Sequence, residues 1–464
     1  MTIAEATPEL EGPLSDKKSD DDRAFLGHPK GLGYLSFVEG CERFSYYSMQ
    51  TLLVLYMVKY LLVPERMAGV VGLSWLQNSW YGGLEGQPLA SAIFGDYTSL
   101  VYLTPILGGI AADRWLGRRA ALVAGAAIMS LGHFLMAFEG LFLFALLSLI
   151  IGVGLFKGNI ATQVGELYGP NDLRRAMAFQ IFYIAINVSV IVAPLISGTL
   201  GEKVGWHYGF GTAGVVMVLG LLLYLKAGPW LPADNKPTRG AGGEKPKMTR
   251  ADYPRLFALL MLVPVLAVSL LTNQEIFNAY LVWADEHFQL TFFGVTLPTS
   301  YMITIDAALS FSMLVAVAAF WKWRADKTGT EPDELGKMII GSVFVIIGGL
   351  CLYVAALTQG SGKIGLFWPL MFHLFNSIGF SHLMPVSLAL FTKVAPRAIT
   401  ATVVGIYYLA FFSANKIVGV IGGWYSTMDT PTFWLLHVAS ACVGLVAFVL
   451  FKLALNRLLK DDPA

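Results

Sequence analysis

Twelve mostly apolar runs, each about as long as a helix needs to cross a bilayer, leave this chain very few possible folds. Roughly 20 residues at 1.5 Å per residue cover the hydrocarbon layer. The runs fall near 33–61, 90–112, 119–138, 141–162, 176–199 and 209–227, then near 255–284, 299–321, 338–357, 365–391, 400–424 and 432–454. Composition agrees, with 56% hydrophobic and only 14% charged residues, against about 25% charged in soluble domains. The expected fold is an all-α membrane protein with 12 transmembrane helices in two six-helix bundles, 31–227 and 255–458. Residues 1–30 read as a disordered cytoplasmic tail without the apolar core of a cleaved signal peptide. Residues 228–254, rich in Pro, Gly, Lys and Arg, read as a cytoplasmic linker, and 459–464 as a second cytoplasmic tail. The stretch 62–89 is long for a hairpin loop and is expected to contain a short interfacial helix.

Basic residues orient the spans. With both termini cytoplasmic, the outer loops hold only Lys59, Arg66, Lys203 and Lys363. Arg43, Lys157 and Lys416 lie within spans, which leaves 25 of the 32 Lys and Arg residues on the cytoplasmic side. The implied location is the cell inner membrane. A net charge of +1 argues against nucleic acid as a partner. Cys41, Cys351 and Cys442 are too scattered for a disulfide framework or a metal cluster, so no metal or cofactor is expected.

The first span is the most polar. Glu39, Glu42, Arg43, Tyr46 and Tyr47 stand at i, i+3, i+4, i+7 and i+8, on one helix face. Ionisable groups at membrane depth are costly and normally pair while facing a water-filled cavity. Two carboxylates, a guanidinium and two phenols so placed form a site for protons and anions; the bland alternative is a helix-packing salt bridge.

Two six-helix halves joined by a basic linker resemble the layout of the major facilitator superfamily, in which substrate binds near midplane between the halves. The loop Gly108-Gly109-Ile-Ala-Ala-Asp113-Arg114-Trp-Leu-Gly117-Arg118-Arg119 is similar to that superfamily's cytoplasmic latch, with Asp113, Arg114 and Arg118 as its charged members. Asp172-Leu-Arg174-Arg175 repeats the chemistry after the fourth span. Both also satisfy plain positive-inside loop chemistry.

Glu39-x-x-Glu42-Arg43-Phe44-x-Tyr46-Tyr47 resembles the first-helix signature of proton-coupled oligopeptide transporters. Similar matches follow in order: Tyr102-Leu-Thr-Pro-Ile-Leu-Gly-Gly, Gly152-x-Gly154-x-Phe156-Lys157-x-Asn159, Phe182-Tyr183-x-x-Ile186-Asn187, Gly205-Trp206-His207-x-Gly209-Phe210 and Thr392-Lys393-x-Ala395-Pro396. The resemblance implies that Arg43 and Lys157 hold a peptide carboxylate, with Tyr46, Tyr47 and Tyr102 as hydroxyl donors and Asn187 on the peptide backbone. Glu42 would pair with Lys157 or Arg43 in the empty carrier. A substrate competing for the cation would free a carboxylate to take a proton.

The C-terminal half departs from that pattern. The seventh helix reads Asn273-Gln274-Glu275 where the family has Glu-Gln, so Glu275 is offered as a proton-coupling residue in an altered register. The tenth-helix Glu that binds a peptide's amino group falls at Phe380 here, with Asn376 and His382 as the nearest polar groups. Asp306 on the eighth helix stands where the family places a substrate-binding Asn, and it either takes over the ammonium or packs against a neighbour. Asp96, six residues before Tyr102, is a further candidate for protons. Lys416 near the outer mouth is a candidate gate residue. The remaining histidines fall mostly at loops or span ends and are read as bland.

The function expected is proton-coupled symport of di- and tripeptides by alternating access, as a monomer in the bilayer. The alternative is a proton-coupled carrier of another zwitterion or organic anion. An enzyme is not expected: no nucleophile elbow, His-Glu-x-x-His string or phosphate loop occurs.

Overall fold

The computed structural model describes residues 22–169, 172–232, 248–250, 252–360, 362–396 and 399–459. The expectations for residues 1–21, for most of the linker and for 460–464 lie outside these. Twelve long helices run in chain order: α1 Lys30–Tyr56, α2 Gly86–Ala111, α3 Arg118–Leu135, α4 Phe142–Glu166, α5 Arg174–Ala193, α6 Trp206–Lys226, α7 Asp252–Ser269, α8 Tyr301–Thr328, α9 Glu334–Thr358, α10 Phe367–Val394, α11 Thr400–Gly423 and α12 Thr430–Leu459. Helices suit a bilayer because each satisfies its own backbone groups, which lipid cannot do. Among the described residues, nine helices, α4 to α12, are both long and apolar enough to cross a membrane. The first three, of 27, 26 and 18 residues, are less apolar. Glu39, Glu42 and Arg43 interrupt α1, Asp96 interrupts α2, and Arg118 and Arg119 open α3.

The packing repeats itself. In the first half α1 packs on α5 and α6, α2 on α4, and α3 on α4 and α6. Adding six to each number gives the main contacts of the second half: α7 on α11 and α12, α8 on α10, α9 on α10 and α12. The two strong contacts between halves, α2 with α11 and α5 with α8, exchange under the same operation. Such an internal repeat is the pattern of two-halved transporter folds, which bind between their repeats.

Two stretches differ from the sequence reading. The loop 62–89 holds two short helices, Pro64–Met67 and Leu73–Ser79. The seventh span is broken: after α7 come a turn at Leu271–Gln274, a 3-10 turn at Glu275–Phe277 and a helix at Ala279–His287. The break is held by side chains. The Glu275 carboxylate accepts from the Ala279 amide at 3.1 Å, the Asn278 amide donates to Val418 O at 3.2 Å, and Ser91 donates to Asn278 Oδ1 at 2.9 Å. These replace backbone partners that a continuous helix would supply. A short hairpin pairing Thr291 with Thr296 and Phe292 with Val295 follows.

The halves meet at the end opposite the termini. There α2 and α11 cross so closely that a Cβ on Gly95 would lie 2.4 Å from the Gly419 Cα. The Glu202 carboxylate accepts from the amides of Thr299 and Ser300 at 2.7 and 2.9 Å, and Lys59 donates to Asp285 at 2.9 Å. Gly95→Leu should force this crossing apart, since overpacking a tight contact costs about 1–3 kcal/mol. Cysteines replacing Ser91 and Asn278 should then cross-link about tenfold more slowly than they do with Gly95 intact. An unchanged rate would show that the glycines do not set the crossing.

Candidate functional site

α1 carries the polar stripe into the bundle. Glu39, Glu42, Arg43 and Tyr46 are all buried, Glu42 completely. Residues 42 and 43 stand about 100° apart on a helix, yet the Arg43 guanidinium folds back to grip Glu42 with both ends, Nε to Oε2 at 2.5 Å and Nη2 to Oε1 at 2.6 Å. Such a two-point charged pair is among the strongest polar contacts available to side chains. Glu39 is a weaker partner, its Oε1 3.5 Å from Arg43 Nε, and its buried Oε2 has no hydrogen-bond partner among the described residues.

Lys157 enters from α4. Among the described residues it makes no ion pair; its ammonium faces the rings of Tyr102 at 4.9 Å and Tyr46 at 5.7 Å. A cation held only by aromatic faces is weakly compensated. Arg43 also lies over Tyr46, at 4.8 Å. Tyr47 and Tyr102 reach across to the other half, where Phe277 lies 6.3 Å from Tyr47 and Phe411 stacks on Tyr102 at 5.0 Å. Asn187 spends its amide hydrogens within α5, on Tyr183 O at 2.8 Å. The stripe, Lys157 and Tyr102 are therefore brought together, with Asn187 on the adjacent α5.

The carboxylates of the second half stand apart from this group. Asp306 on α8 is bonded to His373 on α10 at 2.8 Å, and the other ring nitrogen of His373 lies 2.7 Å from the Tyr280 hydroxyl. Glu275 is buried 3.3 Å from His437 of α12, besides bracing the helix break. Asp96 takes hydrogen bonds from Trp80 and Tyr81 and an ion pair from Lys416 across the interface, so it belongs to the closed end rather than to the stripe.

Three histidines that the sequence reading took as bland meet polar partners inside the bundle. His133, His373 and His437 are buried within the bundle and hydrogen-bonded to Ser45, Asp306 and Glu275. The available signal was that two acids within the spans of the second half have no in-span cation nearby in sequence. Burial at that depth requires a partner, and histidine is the residue the chain supplies.

The candidate latch lies within the first half. Arg118 pairs with Asp113 at 3.5 Å and with Glu166 at the end of α4. Arg114, on the turn Ala112–Leu116, makes no ion pair among the described residues. The repeat of this motif is also engaged, since Arg174 donates to both Asp172 and Asp22. Those hydrogen bonds hold the Asp172 carboxyl below the usual carboxylate range.

Two matched helical repeats around a polar, partly uncompensated midplane define a secondary transporter. A model of the Major Facilitator Superfamily matches residues 37–420. The peptide transporter YePEPT of Yersinia enterocolitica is 30% identical, over 86% of this chain and 89% of that protein. A di-/tripeptide transporter of Lactococcus lactis is 27% identical, over 93% of this chain and 97% of its own. A crystal structure of a variant of the peptide transporter POT in complex with alafosfalin superposes with a TM-score of 0.83 at 26% identity, over 95% of this chain and 98% of that one. The chain belongs to the proton-coupled oligopeptide transporter family of the major facilitator superfamily and is a multi-pass membrane protein.

Asp96→Asn should loosen the closed end, because the carboxylate ties α2 to α11 through Lys416. A half-exposed pair is worth about 0.2–1 kcal/mol, so the open population should rise by up to about fivefold. Spin labels on the outer ends of α2 and α11 read this by pulsed EPR. An unaltered distance distribution would make the pair a bystander.

Proposed function

We propose that this protein is a proton-coupled symporter that imports di- and tripeptides across the cell inner membrane by alternating access, acting as a monomer. The observation that carries the reading is Lys157, a half-buried cation that makes no ion pair among the described residues, held beside the closed Glu42–Arg43 pair. A peptide's terminal carboxylate supplies the missing anion. It binds Lys157 and competes for Arg43, with the hydroxyls of Tyr46, Tyr47 and Tyr102 around it. Glu42, released from the guanidinium, then takes a proton, with Glu39 as its neighbour on the same face. Substrate and proton are linked by charge balance, without a covalent step.

Asn187 faces the peptide backbone once the α5 turn lends it, and Asp306 supports the peptide ammonium. Glu275 serves coupling by bracing the broken seventh span. The two halves, 31–227 and 255–458, rock about the site. Basic-residue bias supports cytoplasmic termini, so the conformation described here, closed at the far end, is inward-facing. Asp113, Arg114 and Arg118 then latch helix ends when the carrier faces outward.

Proteoliposomes should accumulate labelled dialanine under an imposed inward proton gradient. A negative-inside potential should raise accumulation, since each charge moved through 100 mV gains about 2.3 kcal/mol. Uptake indifferent to both the gradient and a protonophore would end the reading.

Glu42→Gln should abolish gradient-driven uptake while preserving peptide-for-peptide exchange, because exchange needs no net proton movement. Loss of exchange as well, in protein that still folds, would mark the Glu42–Arg43 pair as structural.

A further inference from the structure

Three side chains from three helical segments form one hydrogen-bonded chain in the second half: the Tyr280 hydroxyl to His373 Nε2 at 2.7 Å, and His373 Nδ1 to Asp306 Oδ1 at 2.8 Å. Tyr280 and His373 are completely buried, whereas the Asp306 side chain keeps 11% of its exposure. Its Oδ2 accepts no hydrogen bond among the described residues, and its charge bears on Tyr47 of α1 across the cleft. Asp306 is thus the open end of the chain and Tyr280 the closed end, sealed by the rings of Phe372, Phe288 and Trp434.

The groups facing His373 are few. Asp306 comes from α8, Tyr280 from the helix Ala279–His287 and Gly348 of α9 packs beside neighbouring Phe372. Beyond Asp306 lies Tyr47, itself within the field of Arg43, Glu42 and Glu39. The other buried acid of this half among the described residues, Glu275, is engaged with His437.

We propose that His373 is a second proton-binding site, in the C-terminal half, where a proton and a substrate ammonium exclude one another at Asp306. The proposal rests on the reading of Asp306 as the ammonium partner. A phenol can donate or accept. With His373 neutral, Tyr280 donates to Nε2 and Nδ1–H donates to Asp306, which stays an anion with a free oxygen. With His373 protonated, both ring nitrogens donate, no heavy atom moves, and the carboxylate is compensated. An ammonium arriving beside the imidazolium would place a second cation on one carboxylate in a poorly solvated cleft, so the proton leaves as the ammonium binds. One positive charge balances Asp306 whether the site is empty or loaded.

The sign is opposite to that of the α1 stripe. There, acid favours peptide by protonating the acid that the peptide carboxylate displaces. At His373 the protonated form excludes ligand, so this site's own contribution to affinity falls as acid protonates it, approaching tenfold per pH unit.

Binding of dialanine to the purified full-length protein, measured by calorimetry from about pH 5 to pH 8 in buffers of different ionisation enthalpy, tests this. In acid both ligands bring a proton to Glu42 and dialanine alone should release one from His373, so its net proton uptake should be about one lower than that of N-acetyl-dialanine. His373→Gln keeps hydrogen-bonding groups and cannot be protonated. It should abolish that release and tighten dialanine binding about tenfold near pH 5, with a change under about twofold near pH 8. Tyr280→Phe, which keeps His373, should shift the midpoint of the acid weakening and gives a second reading should the first variant misfold. Equal loss of affinity by His373→Gln at both pH values, or an unchanged pH profile in both variants, overturns the proposal. If N-acetylation costs the wild type nothing near pH 8, the Asp306 reading fails and this proposal with it, while proton-driven dialanine uptake would still stand.

Discussion

An ion inside a bilayer without a counter-ion costs several kcal/mol, and that penalty organises this protein. Among the described residues each acid buried in the spans has a cation or a titratable partner: Glu42 and, less closely, Glu39 have Arg43, Asp306 has His373, and Glu275 has His437. Lys157 departs from the rule by resting on aromatic faces. The same penalty that makes the pairs stable makes the unpaired cation a demand for an anion. In the proposed cycle a substrate carboxylate meets the demand, and the displaced acid passes it on to a proton.

The two halves solve the problem with different chemistry. In the first half the partners are permanent charges, so the only way to change their state is exchange of one ion for another. In the second half the partners are imidazoles, which can change charge in place. A repeat that packs its helices almost identically therefore carries two kinds of compensation. Broken secondary structure is tolerated where a side chain pays its cost: Glu275 and Asn278 supply the hydrogen bonds that the interrupted seventh span lacks. That break also carries Phe277 to the face of Tyr47, joining the halves beside the stripe.

Closure at one end rests on shape first and charge second. Gly95 and Gly419 bring two backbones together with no room for a Cβ, and Lys416, Asp96, Lys59 and Asp285 add partly exposed pairs around the rim. Exposed pairs are individually weak, which suits a contact that must open in each cycle. Glu202 is the firmer tie, because it accepts from two backbone amides at the start of α8.

Most of the first half was legible in the sequence. The stripe Glu39, Glu42, Arg43, Tyr46 and Tyr47 follows from helical periodicity alone, and burial in an apolar chain forces its members to pair. The succession of long apolar helices follows from the lengths of the apolar runs. Three things were not legible. Glu42 pairing with Arg43 rather than Lys157 depends on side-chain reach, which periodicity does not contain. The break at 270–278 depends on Ser91 and Val418, residues far away in sequence. The partners of Asp306 and Glu275 lie 67 and 162 positions along the chain, and histidines at those distances look bland until helix packing sets them beside an acid. Local rules act over one or two turns, so the sequence by itself determined the helices, their polar face and the charges needing partners. Which partner each charge received was decided by helix packing, the step at which distant residues first come within a few ångströms.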